Sequence, residues 1–160
     1  MSLERFTEIN KAITIISKDD IVDDKVGREC KSIKYLEHIF NLYYEPGEFL
    51  AIDEGMMPFK GGIKNRVYNP MKLDKWGMKF YICSESTKGY VLNLRICGLK
   101  TSIEKTFADL TTLYEDKNRK LYMDNFYNSF GLSKLLLDRK IYTCGTLRDR
   151  RKGAENLKRL

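Results

Sequence analysis

Two aspartates, Asp53 and Asp124, each close a short apolar run that reads as a buried β-strand, Phe49-Leu50-Ala51-Ile52 before the first and Leu121-Tyr122-Met123 before the second. Such a run carries its first charged side chain where the chain emerges from the sheet. Two carboxylates brought side by side repel unless they share a proton or a cation. Mg2+ suits such a pair, because it takes few carboxylates and keeps water or phosphate as its other ligands, and Mn2+ accepts the same oxygen donors. With two ions about 3.5–4 Å apart, one activates an attacking hydroxyl and the other stabilises the leaving oxygen of a phosphodiester. Aspartate also ends strands and opens turns, so residue type alone leaves both readings standing.

The basic residues fall into two segments. Lys60, Lys64, Arg66, Lys72, Lys75 and Lys79 face the single Asp74 within positions 60–79, and Arg148, Arg150, Arg151 and Lys152 form a second run. Residues 1–59, by contrast, hold 7 basic and 12 acidic side chains, although the whole chain carries a net charge of +7. Clustered positive charge is the footprint of a phosphate-binding surface, and these ten residues are the candidates for it; solvated loop lysines are the alternative. Trp76, the lone tryptophan, suits a packing anchor better than a base-stacking platform, since no repeated aromatic pattern surrounds it. Asn125 either orients Asp124 through its amide or serves a turn. His38 suits packing or the surface.

Other chemistries are disfavoured. Cys30, Cys83, Cys97 and Cys144 lack any C-x-x-C spacing and there is one histidine, so a Cys/His zinc site has no ligand set. Reduced thiols are expected. With 42% hydrophobic residues and no apolar run near ~20 residues, the composition is globular with no membrane partner. No apolar segment before a small-residue cleavage site follows Met1, so an intracellular protein is expected.

The elements that must position the aspartates follow from periodicity. Phe6, Ile9, Ile13 and Ile16 recur at helical spacing until the acidic stretch 18–24, and Ile33, Leu36, Ile39, Phe40 and Tyr43 do so until Glu45-Pro46-Gly47. Short β-rich runs follow at 49–53, 78–84 and 90–97, with a hairpin turn at Ser86-Thr87-Lys88-Gly89. A helix with Ile103, Phe107, Leu110 and Tyr114 inward, capped by Thr101 or Ser102, leads to a strand over 120–124. A second helix over 129–139 leads to the last strand, 141–147. The order β-β-β-α-β-α-β predicts an α/β fold, a ribonuclease H-like mixed five-stranded sheet flanked by helices and preceded by two helices. The expected organisation is a helical segment 1–45, a partial catalytic core 46–148 and a basic tail 149–160. In that topology the first strand is central and the fourth lies parallel beside it, which makes Asp53 and Asp124 neighbours.

Four separated stretches resemble the piggyBac transposases. Pro46-Gly47 with Ile52-Asp53-Glu54 and Pro58-Phe59-Lys60-Gly61 is similar to the family's first catalytic aspartate segment, and Lys75-Trp76-Gly77-Met78-Lys79 to its Lys-Trp-Gly-x-Lys pattern. Asp124-Asn125-Phe126-Tyr127-Asn128-Ser129 resembles the motif around the second aspartate, and Gly145-Thr146-Leu147-Arg148 with Arg151-Lys152-Gly153 a later basic run. Met1 to Phe6 resembles an internal helix of the family, so the likeness covers essentially all 160 residues.

The resemblance implies a fragment of a cut-and-paste DNA transposase, acting by metal-dependent phosphodiester hydrolysis and strand transfer. Asp53 and Asp124 match the first two metal ligands of an Asp-Asp-Asp triad, with Mg2+ or Mn2+ as cofactor, DNA as partner, a homodimer as assembly and the nucleus as location. Nothing matches the third aspartate, because Asp149 and Glu155 follow the last strand too closely. The family's amino-terminal region and cysteine-rich finger have no counterpart, Leu73 stands where the family has proline, and Gly62 where it has arginine. An incomplete domain, inactive as an isolated chain, is therefore expected. The alternative is a transposon relic or domesticated protein that binds DNA through its basic segments without catalysis.

Overall fold

The computed structural model describes residues 1–12, 28–60, 66–97, 101–148, 150, 151 and 153, and the chain divides into two units, 1–36 and 37–160. In the first unit, α1 spans Leu3–Ala12. Ser2 Oγ accepts from the Arg5 N–H at 3.2 Å, filling one of the unpaired donors of a helix start. Ile13, Ile16 and the acidic stretch 18–24 lie outside the described residues. The next helix, α2 (Arg28–Tyr43), crosses into the second unit and stops three residues before Pro46, where proline chemistry ends helices.

The second unit is built on a six-stranded mixed sheet. Its strands are β1 (Phe49–Pro58), β2 (Arg66–Tyr68), β3 (Trp76–Glu85), β4 (Val91–Ile96), β5 (Arg119–Met123) and β6 (Ile141–Cys144). Their order is β2-β3-β1-β5-β6, with β4 also paired to β3. The β3–β4 connection is the expected hairpin: both Glu85 carboxylate oxygens accept turn amides, from Thr87 at 3.1 Å and Lys88 at 2.7 Å. β5 and β6 run parallel to their neighbours. Parallel strands need crossovers, supplied by α3 (Ile103–Thr111) and α4 (Phe130–Leu137). Ser102 and Ser129 cap these helices through their hydroxyls, each at 3.2 Å.

The expected ribonuclease H-like sheet is present with two differences. A sixth strand, β2, is three residues long, too short to leave an alternation in the sequence. β1 also runs five residues past Asp53, because β3 pairs with it from Leu50↔Glu85 to Pro58↔Gly77. Asp53 is thus interior to β1 rather than at its end; Glu54-Gly55 interrupts the apolar run, but the ladder continues.

Alternation along the strands separates two sheet faces. Leu50 pairs with Leu121 and Ile52 with Met123, and all four are buried. They pack with Phe107 and Leu110 of α3 and Leu132 and Leu136 of α4 into one core. Each such side chain contributes about 1.5–3 kcal/mol relative to exposure. The outer edge of β4 is covered by α2: Glu37 accepts from the Leu94 N–H at 3.0 Å, and Asn41 donates to the Leu92 carbonyl at 3.1 Å. Those contacts satisfy an edge that would otherwise invite strand pairing.

Candidate active site

Asp53 and Asp124 follow the last residues paired between β1 and β5, Ile52 and Met123. Ile52 and Met123 point into the core, so the next residue on each strand projects to the opposite face, and both aspartates are exposed there. Neighbouring strands lie about 4.8 Å apart, within which two carboxylates can grip one cation. Each is held in the same way by the amide that follows it: Asp53 Oδ1 accepts from the Glu54 N–H at 2.7 Å, and Asp124 Oδ1 from the Asn125 N–H at 2.6 Å. Neither carboxylate makes an ion pair among the described residues. No group of three metal-ligating side chains occurs among the described residues, so the pair stands without a third protein ligand there.

The Asp124 end of β5 is built with particular closeness. The Asp124 carbonyl accepts from the Tyr127 and Asn128 amides, both at 3.1 Å, which closes a turn directly after the carboxylate. Asn128, buried, donates to the Gly145 carbonyl at 3.1 Å and the Thr146 carbonyl at 3.2 Å. Its own carbonyl accepts from Ser133, whose hydroxyl accepts from Thr143 at 2.9 Å. A Cβ at Gly145 would lie 2.3 Å from the Met123 carbonyl oxygen, so only glycine lets the chain leaving β6 pass this close to Asp124.

The basic candidates separate on geometry. Arg148 donates through Nε and Nη2 to the Asn125 side-chain carbonyl at 3.2 and 3.1 Å, and its guanidinium lies 5.7 Å from the Phe126 ring centroid. Arg151 donates to the Phe126 carbonyl. Both arginines are therefore held against the turn that follows Asp124, and Arg150 beside them is exposed. Asn125 reaches Asp124 through its backbone amide, while its side chain engages Arg148. Lys60, Lys72 and Lys75 are exposed, and Arg66 donates to the Lys60 carbonyl at 2.9 Å. Lys79 is not brought to the aspartates. It alternates onto the core face, where it pairs with Glu54 at 2.8 Å. Lys64, Lys152, Gly62, Asp149 and Glu155 lie outside the described residues. His38 is exposed near the end of α2, and Cys83, Cys97 and Cys144 are free thiols.

The "Transposase IS4" family model matches residues 1–157. The chain belongs to the transposase IS4 family. Within it the likeness is to the piggyBac type. A cryo-EM structure of the piggyBac transposase synaptic complex with hairpin DNA superposes with a TM-score of 0.74 and 26% identity, covering 99% of this chain and 36% of that one. The chain thus spans about a third of that transposase's length, and its sheet is the ribonuclease H-like fold of the piggyBac type.

The residues not anticipated from sequence in this transposase segment are those that act through another. Ser133 and Thr143 carry no charge and no motif spacing, and only the packing of α4 against β6 relates them to Asp124; Gly145 stood in a recognised motif, but its close approach to Met123 did not show there. The contact of Tyr68 with Trp76 depends on β2, which no periodicity marked.

Proposed function

We propose that this chain is catalytic-core sequence of a DNA transposase in which Asp53 and Asp124 hold a divalent cation, Mg2+ or Mn2+, at the scissile phosphate. The observation that carries this reading is the parallel register of β1 and β5, which leaves two like-charged side chains one step beyond the Ile52↔Met123 pair on one face. Like charges at that spacing are tolerable in water but favour a shared cation. Each carboxylate has one oxygen oriented by a backbone amide, which fits a hard cation that tolerates few carboxylates and keeps water or phosphate as further ligands. A bound cation supplies Lewis-acid polarisation of a phosphoryl oxygen and lowers the pKa of an attacking water or hydroxyl.

The chain's own residues orient the DNA. Arg148 and Arg151, fixed to the turn after Asp124, bind backbone phosphate beside the carboxylates, while Arg150, Lys60, Lys72 and Lys75 add a salt-sensitive attraction. Hydrolysis and strand transfer belong to the complete enzyme, as do its dimeric assembly and its nuclear site of action. A second reading is favoured by the absence of a third carboxylate among the described residues: a protein that binds DNA without cutting it.

Thermal melting with Mn2+ tests the first reading. Saturating cation stabilises a fold by RT ln(1 + [L]/Kd), about 2.7 kcal/mol at a hundredfold excess, which is about 2–4 °C per kcal/mol for a domain of this size. The shift is expected in the parent chain and absent in Asp53→Asn and Asp124→Asn. A melting temperature indifferent to Mn2+ in the parent overturns the metal site. Salt-dependent DNA binding without nicking of a DNA end would then favour the second reading.

A further inference from the structure

On the rim of the same sheet face stands an aromatic group that the carboxylate chemistry does not use. Tyr68 of β2 and Trp76 of β3 are paired across the strands with ring centroids 4.8 Å apart. The Arg66 guanidinium lies 4.8 Å from the centre of the Trp76 ring. Large aromatic rings on a strand normally seek a core, yet Trp76 is 47% and Tyr68 53% exposed. Trp76 is thus packed against Tyr68 and Arg66 at the surface rather than within the core.

Register relates this group to the aspartates. Alternate residues of β1 from Asp53 are Gly55 and Met57; Met57 pairs with Met78, whose alternate neighbour on β3 is Trp76, itself paired with Tyr68. Directly opposed residues share a face, so Tyr68 and Trp76 lie on the face that carries Asp53. Trp76 is six residue steps from the Asp53 level, about 20 Å at the rise of a strand. That span is about six nucleotide steps of one DNA strand. Between the two points the Ile82 side chain lies over Gly55, where a Cβ would meet it at 2.3 Å, Met57 of β1 is exposed, and Met78 and Phe80 of β3 are buried.

We infer that Tyr68 and Trp76 are a stacking platform for an unpaired nucleotide of the DNA strand whose phosphate lies at Asp53 and Asp124. This rests on the DNA reading above and adds to it a preference for single-stranded over duplex DNA at a defined distance from the reacting phosphate. Charge favours a nucleotide over an apolar protein segment: Arg66 sits on the platform and Lys72 and Lys75 on the connecting turn, against Asp74 alone. That turn is closed by the Asn69 N–H donating to the Lys75 carbonyl at 2.7 Å, which fixes the lysines relative to the rings. Every base has a π-face, so stacking selects for an unpaired base without selecting a sequence.

The test uses Trp76 itself, the chain's single tryptophan. A fluorescein-labelled single-stranded octanucleotide, the same octanucleotide with abasic positions, and the matching duplex are titrated with the chain, following both anisotropy and tryptophan emission. The intact single strand is expected to quench Trp76 as it binds, while the abasic strand and duplex bind with little quenching. Tyr68→Ala and Trp76→Ala should weaken single-strand binding about tenfold and leave duplex binding unchanged, and Trp76→Phe, which keeps a ring, should retain most of the affinity. Circular dichroism of each variant separates a lost contact from a lost fold. Binding of all three DNAs with unchanged emission and unaffected variants overturns the platform and leaves the DNA reading intact. No anisotropy change with any DNA overturns both. A concentration-dependent emission shift without DNA shows the rings covered by a second copy of the chain, and overturns the platform as well.

Discussion

Asp53 and Glu54 are adjacent acids on one strand with opposite fates. Glu54 alternates onto the core face, where Lys79 neutralises it at 2.8 Å with both side chains about three-quarters buried. Asp53 alternates onto the other face, where its bond is to the Glu54 amide and no cation of the described residues pairs with it. The same division runs through the sheet. One face buries Leu50, Ile52, Leu121 and Met123 beneath α3 and α4; the other presents Asp53, Asp124, Tyr122, Tyr142 and Trp76 toward solvent. It closes over β3 and β4, where Met78, Phe80 and Ile96 are buried. A fold that pairs one acid internally and leaves its neighbour for solvent separates a neutralised charge from an accessible one across the thickness of a single strand.

The largest effects should come from the core face. Leu121→Ala removes a fully buried side chain opposite Leu50, and denaturant melts should register a loss of about 2–5 kcal/mol. Tyr122→Ala, one residue along and on the other face, should cost far less, since exposed substitutions usually stay within about 0.5 kcal/mol. Its contact with the Phe49 ring, centroids 6.2 Å apart, adds little in water. Equal losses at the two positions would erase the distinction between faces.

Gly145→Ala should come next. Its Cβ would press on the Met123 carbonyl at 2.3 Å, backbone that cannot swing aside, so the Asp124 end of β5 must shift. Overpacking of this kind costs about 1–3 kcal/mol. The sharper readout is Mn2+ stabilisation, which should fall with the displacement of Asp124. A variant that melts lower yet keeps its full Mn2+ response would mean that the close approach serves the fold alone.

The paired and unpaired acids should then part company. Glu54→Gln leaves Lys79, about three-quarters buried, without its charged partner and should cost about 1 kcal/mol, a partly exposed ion pair being worth little more. Asp53→Asn should leave the metal-free melt nearly unchanged, while the Mn2+ shift disappears. The reverse pattern would place the cation on Glu54 and discard the register argument.

Much of this division was readable before any coordinates. The ends of the Phe49–Ile52 and Leu121–Met123 runs marked both aspartates, because a buried parallel strand is continuously apolar and its first charge is conspicuous. Ser102 was one of two candidate caps for its helix, and Ser129 stood at the expected start of the next; both supply the capping oxygen. Which face a residue takes was harder to read, since alternation gives a face only once the register is known. Lys79 thus grouped with the other lysines by proximity in sequence, although β3 turns it toward Glu54. The extension of β1 past Asp53 was hidden because Glu54-Gly55 breaks the apolar run while β3 continues to supply hydrogen bonds. The pairing of Trp76 with Tyr68 was hidden because Tyr68 lies on a strand of three residues, which no period can reveal.

The smallest perturbation compares two thiols. Cys83 is fully buried on the core face, and burial alone pushes its thiol up to about 12. Cys144, paired in register with Tyr122, is exposed on the carboxylate side. The thiolate is the species that reacts, so at pH 8 Cys83 holds about one part in ten thousand of reactive form and is shielded besides, whereas Cys144 meets reagent directly. Native maleimide labelling followed by peptide mapping should therefore mark Cys144 within minutes and Cys83 only under denaturant. Fast labelling of Cys83 would mean that the covered face opens under native conditions, and the separation of the two faces would fail at its better-packed side.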